Sequence, residues 1–376
     1  MKALFTMALA GTTALTIGTA AEAQYLFSSW LEPNHVITRE AHVQWAEDLA
    51  EATNGDVSFE VIVGGALIPA QSTMQGVADG LAQAGFHTAT YTPSDLPVSN
   101  AVADMGFITP DPFVMAFAWS DFMMNEPVGF NDWRDNGVLF GGGYAVPEYN
   151  FICREPLSTL ADFEGKRVRM PGGGWARFGQ AIGVVGVNVP SNEIYTAFER
   201  GSVDCTASDT SHLTGGATLM EVAGGVTTLA MSPFYAGVTW AYNPDFWAGL
   251  TPEQRRTVFD VSAESLARLQ VAYAREASEA REMAAERGIP IVEPDASLQE
   301  AYDTWVAEGV GDSAGIAASA HGIEDPEALF ANFQGYVDKW VGLLEGLEQP
   351  YTVEALTALL QENLYGPIDV NTWGLQ

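Results

Sequence analysis

Positive charge is scarce in this sequence: lysine and arginine number 16 against 48 aspartates and glutamates, a formal net charge of −32. That balance excludes nucleic acid as a partner, because phosphate binding needs a basic surface. A small anion would have to be held where local positive groups outweigh the acidic surroundings. Cysteine is nearly absent, with Cys153 and Cys205 the only two, and the residues alone leave open one disulfide or two separate buried thiols. Past the N-terminus no segment approaches the ~20 uninterrupted apolar residues of a membrane span. The five histidines (35, 42, 87, 212 and 321) lack metal-ligand spacing, and no carboxylate cluster demands a cation, so neither metal nor other cofactor is expected. The glycine runs at 141–143 and 172–174 do not form G-x-x-x-x-G-K-[ST], and Arg177 stands where a dinucleotide fingerprint needs its third glycine. G-x-S-x-G and H-E-x-x-H are missing too, and no carboxylate pair has an obvious catalytic setting.

What is present begins with an export signal. Lys2 precedes the apolar stretch "ALFTMALAGTTALTIGTA" (3–20), and Ala21-Glu22-Ala23 supplies a cleavage site before Gln24. No cysteine follows that stretch, so a lipid anchor is not expected. The mature chain would be periplasmic, and its length suits two domains at ~100–200 residues each.

Along the mature chain, "QYLFSSW" (24–30), "VSFEVIVGG" (57–65) and "AGFHTATY" (84–91) read as strands. Between them lie an amphipathic helix with Ile37, Ala41, Trp45 and Leu49 at four-residue steps, and a second helix over 71–83. This β-α-β-α-β order argues for a parallel sheet. Residues 112–137 read as helical, with strands over 138–145 and 150–156. A second α/β set follows: strands "KRVRM" (166–170), "GVNVP" (186–190) and "VDCTAS" (203–208), with helices from 173 and from 192, then the strand "VTWAYN" (238–243). Thr251, Pro252 and Gln254 form an N-cap, first-position proline and capping box. They open a helix that runs to about Gly288, ~55 Å if unbroken and longer than one domain. Helices over 296–314, 325–347 and 352–365 close the chain.

The scarce bases crowd into "EGKRVRMPGGG" (164–174). Alternation along the strand puts Arg167 and Arg169 on one face, and Arg169 at the carboxyl end, where open α/β sheets bind ligands. A guanidinium there fits a carboxylate bidentately. Pro171 and the glycines permit a tight turn, and the next helix offers N–H donors to an anion. A structural salt bridge is the other reading of Arg169, and the residues alone leave both open. Aromatics at strand ends and loops, Trp30, Tyr91, Trp175, Phe234 and Tyr235, are candidates for a cleft wall. His35 and His87 are at most polar groups at its edge.

The segments "STLADFEGKRVRMPGG" (158–173) and "AIGVVGVNVPSNEIYTAFERGSVDC" (181–205) resemble the DctP-like solute-binding proteins of TRAP transporters. The matching positions are Asp162 with Gly165, Arg169, Ile182-Gly183, Pro190 with Glu193, Tyr195 and Ala197, then Gly201, Val203 and Asp204. The resemblance extends to "ATNGDVSFEVIVGGAL" (52–67) and "YNPDFWAGLTPEQRRTVFD" (242–260). It implies a two-domain, class II periplasmic-binding-protein fold of venus-flytrap type, with a long helix spanning both domains. Residues 24–147 with about 233–270 would form domain I and 148–232 with about 271–345 domain II, leaving 346–376 as a C-terminal helix and tail. One small organic acid would be enclosed in the cleft and delivered to two integral membrane subunits.

The family's carboxylate-gripping arginine falls on Arg169. Where many members place an asparagine, Ser208 stands beside Asp209. A serine can donate to the acid, whereas Asp209 would repel it unless it faces away. Tyr149 and Phe151 replace another common basic position, which argues for a monocarboxylate with an apolar or hydroxylated body. Trp175 would wall the cleft beside Tyr149, Tyr91, Phe234 and Trp30. The resemblance also implies a Cys153–Cys205 disulfide near the cleft floor. A cysteine nucleophile with His212 as base is the chemical alternative, although thiols in exported proteins are seldom free. Two other functional readings are the solute receptor of an ATP-driven importer and an exported enzyme acting on a carboxylic acid.

Overall fold

The computed structural model describes residues 24–105, 107, 109 and 111–375, with backbone alone at 309–311. The expected export signal lies outside the described residues. The strands are β1 (Tyr25–Ser28), β2 (Phe59–Ile62), β3 (Ala84–Thr88), β4 (Leu139–Phe140), β5 (Glu148–Cys153), β6 (Arg167–Arg169), β7 (Val185–Val187), β8 (Cys205–Ser208), β9 (Gly225–Pro233), β10 (Gly237–Tyr242) and β11 (Ile291–Val292). They form two sheets, ordered β2-β1-β3-β10-β4 and β11-β9-β5-β8-β6-β7.

Strands β1, β2 and β3 run parallel, as do β6, β7 and β8, each set linked by helices. The expected parallel sheet holds within those sets. It fails at the strands that carry the chain between lobes: β10 is antiparallel to β3 and β4, and β5 to β8 and β9. Residues 141–147 lead from β4 to β5, and 234–236 lead from β9 back to β10.

The third connection is the helix Pro252–Glu286, which opens with the expected capping box between Thr251 and Gln254. Its N-terminal half packs in the first lobe, where Trp45 Nε1 donates to Ser262 Oγ at 3.1 Å. Ala280 and Ala284, near its other end, belong to the core under the second sheet with Ile152, Phe198 and Val226. The apolar stripe Ile37, Ala41, Trp45 and Leu49 is buried as its spacing predicts, although the first turns over Thr38–Val43 are π-helical.

The first lobe is built around large buried rings, two of whose indole N–H groups tie distant segments together. Trp119 Nε1 donates to the Gly237 carbonyl at 2.9 Å and Trp240 Nε1 to that of Ala41 at 2.8 Å. Helix Pro326–Leu344, expected with the second domain, packs on Pro112–Asn125 in the first lobe through Phe122–Phe333 and Phe117–Trp340 contacts. Lys339 Nζ and Trp340 Nε1 both donate to the buried Asp121 carboxylate there, at 2.6 and 3.0 Å.

Cys153 and Cys205 are bonded, as cross-strand partners at one end of the β5–β8 ladder. The bond is not near the cleft floor. Tyr149, which faces the space between the lobes, lies four residues back along β5, ~13 Å away at strand rise.

Candidate functional site

The two arginines of β6 have different fates. Arg167 is half-exposed and clamped bidentately on Asp204, Nε to Oδ2 at 3.0 Å and Nη2 to Oδ1 at 2.6 Å. Arg169, at the strand's carboxyl end, is 3% exposed. Its Nε donates to the Val189 carbonyl at 3.2 Å and Nη1 to that of Ala207 at 3.3 Å. Among the described residues no carboxylate pairs with it. The salt-bridge reading therefore belongs to Arg167. Arg169 is a buried cation held in place by two carbonyls and left short of negative charge, an arrangement that costs free energy until an anion arrives.

Arg169 faces a small cavity between the lobes. The first lobe contributes Trp30, His35, Phe86, Tyr91 and Tyr144, the second Tyr149, Ser191 and His212. Val146 and Phe234, from the two crossing segments, and Tyr273, from the long helix, also line the cavity. The lobes are closed around this space. Ser191 N–H donates to Tyr91 Oη at 3.1 Å, and the rings of His35 and His212 approach to 5.6 Å between centroids.

The electrostatics are simple. Burial holds the His35 imidazole well below its ordinary pKa, with His212, His42 and Arg39 adding to the effect. Burial lowers His212 as well, opposed by Asp209 and reinforced by Arg169. Both rings are neutral near pH 7, and Arg169 supplies the positive charge. Burial raises the Tyr149 hydroxyl far above its usual range although Arg169 pulls the other way, so it stays protonated as a donor. No carboxylate lines the cavity among the described residues.

Of the residues expected here from sequence, Arg169, Tyr149, Tyr91, Phe234 and Trp30 line the cavity, and Trp175, Ser208 and Asp209 do not. Trp175 stands behind Tyr149 at 5.0 Å between ring centroids and meets Phe107 on its other side. The Ser208 hydroxyl bonds that of Thr206 at 2.9 Å, two residues along β8 on the same face. Asp209 caps the short turn Thr210–Leu213 through Ser211 and accepts from Tyr273 Oη at 3.4 Å. Its carboxylate is turned to these donors rather than lining the cavity, although its charge is felt by Tyr149, His212 and Tyr273 in the wall. Phe151 packs on Phe163, and Tyr235 donates to the Val102 carbonyl, both away from the cavity. His87 is buried between Ala70 and Thr92 rather than at the cleft edge.

Sequence reasoning missed Tyr144, Ser191 and Tyr273 as wall residues, and it weighed His212 only as the base of a disfavoured cysteine-nucleophile alternative. It also misread the glycine turn. The N-terminus of helix Gly173–Ala181 does receive an anion, but that anion is Asp104 from the first lobe, whose Oδ1 accepts from Gly174 N–H at 2.7 Å. A Cβ at Gly173 would sit 2.9 Å from that oxygen, and Gly172 adopts φ +91°.

Two α/β lobes joined by crossing strands and one long helix, with a closed cavity between them, define a solute-binding receptor. The sequence profile of bacterial extracellular solute-binding protein family 7, the DctP family, matches residues 27–310. The chain belongs to that family, the extracytoplasmic receptors of TRAP transporters, which bind solutes and are not enzymes. A monocarboxylate 2-oxoacid-binding periplasmic protein from Nostoc sp. is 28% identical over 182 residues. That match covers 42% of this chain and 43% of the relative, less than half of its length. A TRAP solute-binding protein from Bordetella bronchiseptica, solved with (R)- and (S)-mandelate, superposes with TM-score 0.71 at 22% identity, covering 84% of this chain and 99% of the other. A marine metagenome TRAP protein specific for aromatic acid ligands, solved with metahydroxyphenylacetate, gives TM-score 0.74 at 17% identity over 85% and 99%. Among the described residues no helix is long and apolar enough to cross a membrane.

Proposed function

We propose that this chain captures a small monocarboxylate in the cavity at Arg169 and delivers it to the membrane subunits of a TRAP transporter. The observation that carries the reading is the buried Arg169 guanidinium, oriented by two carbonyls and paired with no carboxylate among the described residues. A ligand carboxylate beside it would accept charge-assisted hydrogen bonds in a buried site. Tyr149 is placed to donate as well. Trp30, Phe86 and Phe234 would cover an apolar body, and Tyr91, Tyr144, Ser191 and the neutral histidines would bond an uncharged hydroxyl or oxo group. With one cation in the wall, a second carboxylate on the ligand would lack a partner. The acids named for the relatives, 2-oxoacids, mandelate and metahydroxyphenylacetate, are all monocarboxylates with such a body.

Capture would be binding and closure, with no bond made or broken. The free energy of closure comes from contacts that the ligand makes only when both lobes surround it. The test is a thermal-shift screen of monocarboxylates, dicarboxylates, aromatic acids, sugar acids, amino acids and neutral sugars. A ligand at ~1,000 times its Kd adds about 4 kcal/mol of stability. Monocarboxylates are expected to register and dicarboxylates to fail. Stabilisation by neutral sugars alone would overturn the reading.

A further inference from the structure

Asp104 follows helix Pro97–Ala103 in the first lobe, and its side chain is 7% exposed. All three side-chain donors it takes come from elements beyond that lobe's sheet. Oδ1 accepts from Gly174 N–H at 2.7 Å, while Oδ2 accepts from Arg177 Nη1 at 3.1 Å and from His321 Nε2 at 3.2 Å. Gly174 and Arg177 open the second-lobe helix that follows Arg169 directly. His321 ends helix Ala296–Ala320, whose Tyr302 and Trp305 pack on Phe178 of that same helix. The neighbouring surfaces fit without slack: a Cβ at Gly172 would meet Thr90 Cγ2 at 2.9 Å. None of these groups lines the cavity.

We infer that Asp104 is an interlobe latch: its carboxylate, seated on the N-terminus of helix Gly173–Ala181, stabilises the closed state and sets affinity for every ligand without touching one. The chemistry suits the task. A carboxylate on a helix N-terminus and a guanidinium gains strength as water is excluded, so the bonds are worth most in the closed arrangement and little when the lobes separate. The backbone donor of the latch, Gly174, follows Arg169 by five residues, so the latch fixes the turn from which the binding arginine projects. Apparent affinity scales with the fraction of protein already in the binding-competent form. A weakened latch therefore raises Kd by one common factor across ligands, whereas a cavity variant changes the ranking of ligands.

The experiment places spin labels at Leu81→Cys and Val185→Cys, exposed positions on opposite lobes (60% and 53%), and leaves the native disulfide intact. Pulsed electron–electron distance distributions are recorded without ligand and with mandelate, benzoate and pyruvate in turn. Wild type is expected to hold a short-distance population without ligand, and Asp104→Asn to lose most of it. Dissociation constants for any of the three acids that bind should rise about tenfold and by the same factor. A wild type with no short-distance population, or an Asp104→Asn distribution that superposes on wild type, overturns the latch. Should Asp104→Asn fail to fold, Arg177→Met removes one arm at a partly exposed site and is held to the same outcomes. The ligand-free distributions decide the latch even if none of the acids binds, so failure of the carboxylate reading is separately visible.

Discussion

At the scale of single residues, the two arginines of one strand separate structure from function. Arg169→Met removes a buried charge that the protein does not neutralise. Acid binding is expected to vanish while the melting temperature of the ligand-free protein holds or rises, since a well-packed apolar substitute for an underpaired buried ion is often stabilising. Arg167→Met removes the partner of Asp204 at the surface and is expected to cost little stability and to leave binding intact. Calorimetric titration and thermal melts of both variants check the pair of outcomes. Arg169 was legible because positive charge is so scarce that an arginine in an apolar strand stands out. Ser208, Asp209 and Trp175 were misplaced because what covers a side chain is decided by the lobe packed over it, not by its place at a strand end or turn. Asp104 carried no local signal, its partners lying 70 and more residues away.

The buried histidines make a separate statement. Burial lowers His42 to about 3, and His87 to about 4 with the Ala70 carbonyl opposing; His35 and His212 are lowered too. A base held neutral by the fold binds its proton more readily when unfolded. The stability this contributes is fully present above the unfolded value near 6.5, and it declines as pH falls from there toward the folded values. Each histidine adds a slope of up to about 1.4 kcal/mol per pH unit within its window. Urea unfolding is therefore expected to show a clear loss of stability between pH 7 and pH 5, with His42→Phe flattening the slope by one proton. Asp104 titrates lower: burial alone would raise it, but the bonds from His321, Arg177 and Gly174 hold it below its ordinary 3.8. Its contribution is present above that value and fails only as pH drops through the lower one.

At the scale of elements, the long helix was readable to within two residues because its cap carries three independent start signals, and Thr251→Ala is expected to cost about 1 kcal/mol in thermal unfolding. Strand β9 went unread: Thr227 and Thr228 break its apolar run and proline ends it, so its pairing with β5 and β11 is what identifies it. The glycine turn before helix Gly173–Ala181 invites a harder test. Gly173→Ala thrusts a methyl group to 2.9 Å from Asp104 Oδ1, so it is expected to destabilise the closed protein and weaken every ligand alike. The disulfide joins neighbouring strands ~13 Å from the cavity end of β5. Cys153→Ala with Cys205→Ala should lower stability by about 3 kcal/mol and leave ligand affinity within a few-fold of wild type, as denaturant and binding titrations would show.

The whole molecule is two incomplete cores that share three connections, and its cavity exists only where they meet. Both lobes contribute to the wall, the first with more residues than the second, which is why motif reading found the second-lobe arginine but few of its first-lobe companions. The resemblance of residues 158–205 marked a strand, a cap and a clamp whose work is largely structural. Asp162 forms a capping box with Thr159, and Asp204 holds Arg167. Fold therefore followed from the sequence far more completely than the cavity wall did.

Binding depends on one cation meeting one carboxylate, and the most direct measurement compares an acid with its uncharged isostere. Isothermal titration would use the tightest-binding monocarboxylate from the screen and its primary amide, on wild type and on Arg169→Met. Wild type is expected to bind the acid at least 100-fold more tightly than the amide, about 2.7 kcal/mol, and Arg169→Met to erase that preference. Equal affinity of wild type for acid and amide, or a preference that survives in Arg169→Met, would contradict that dependence.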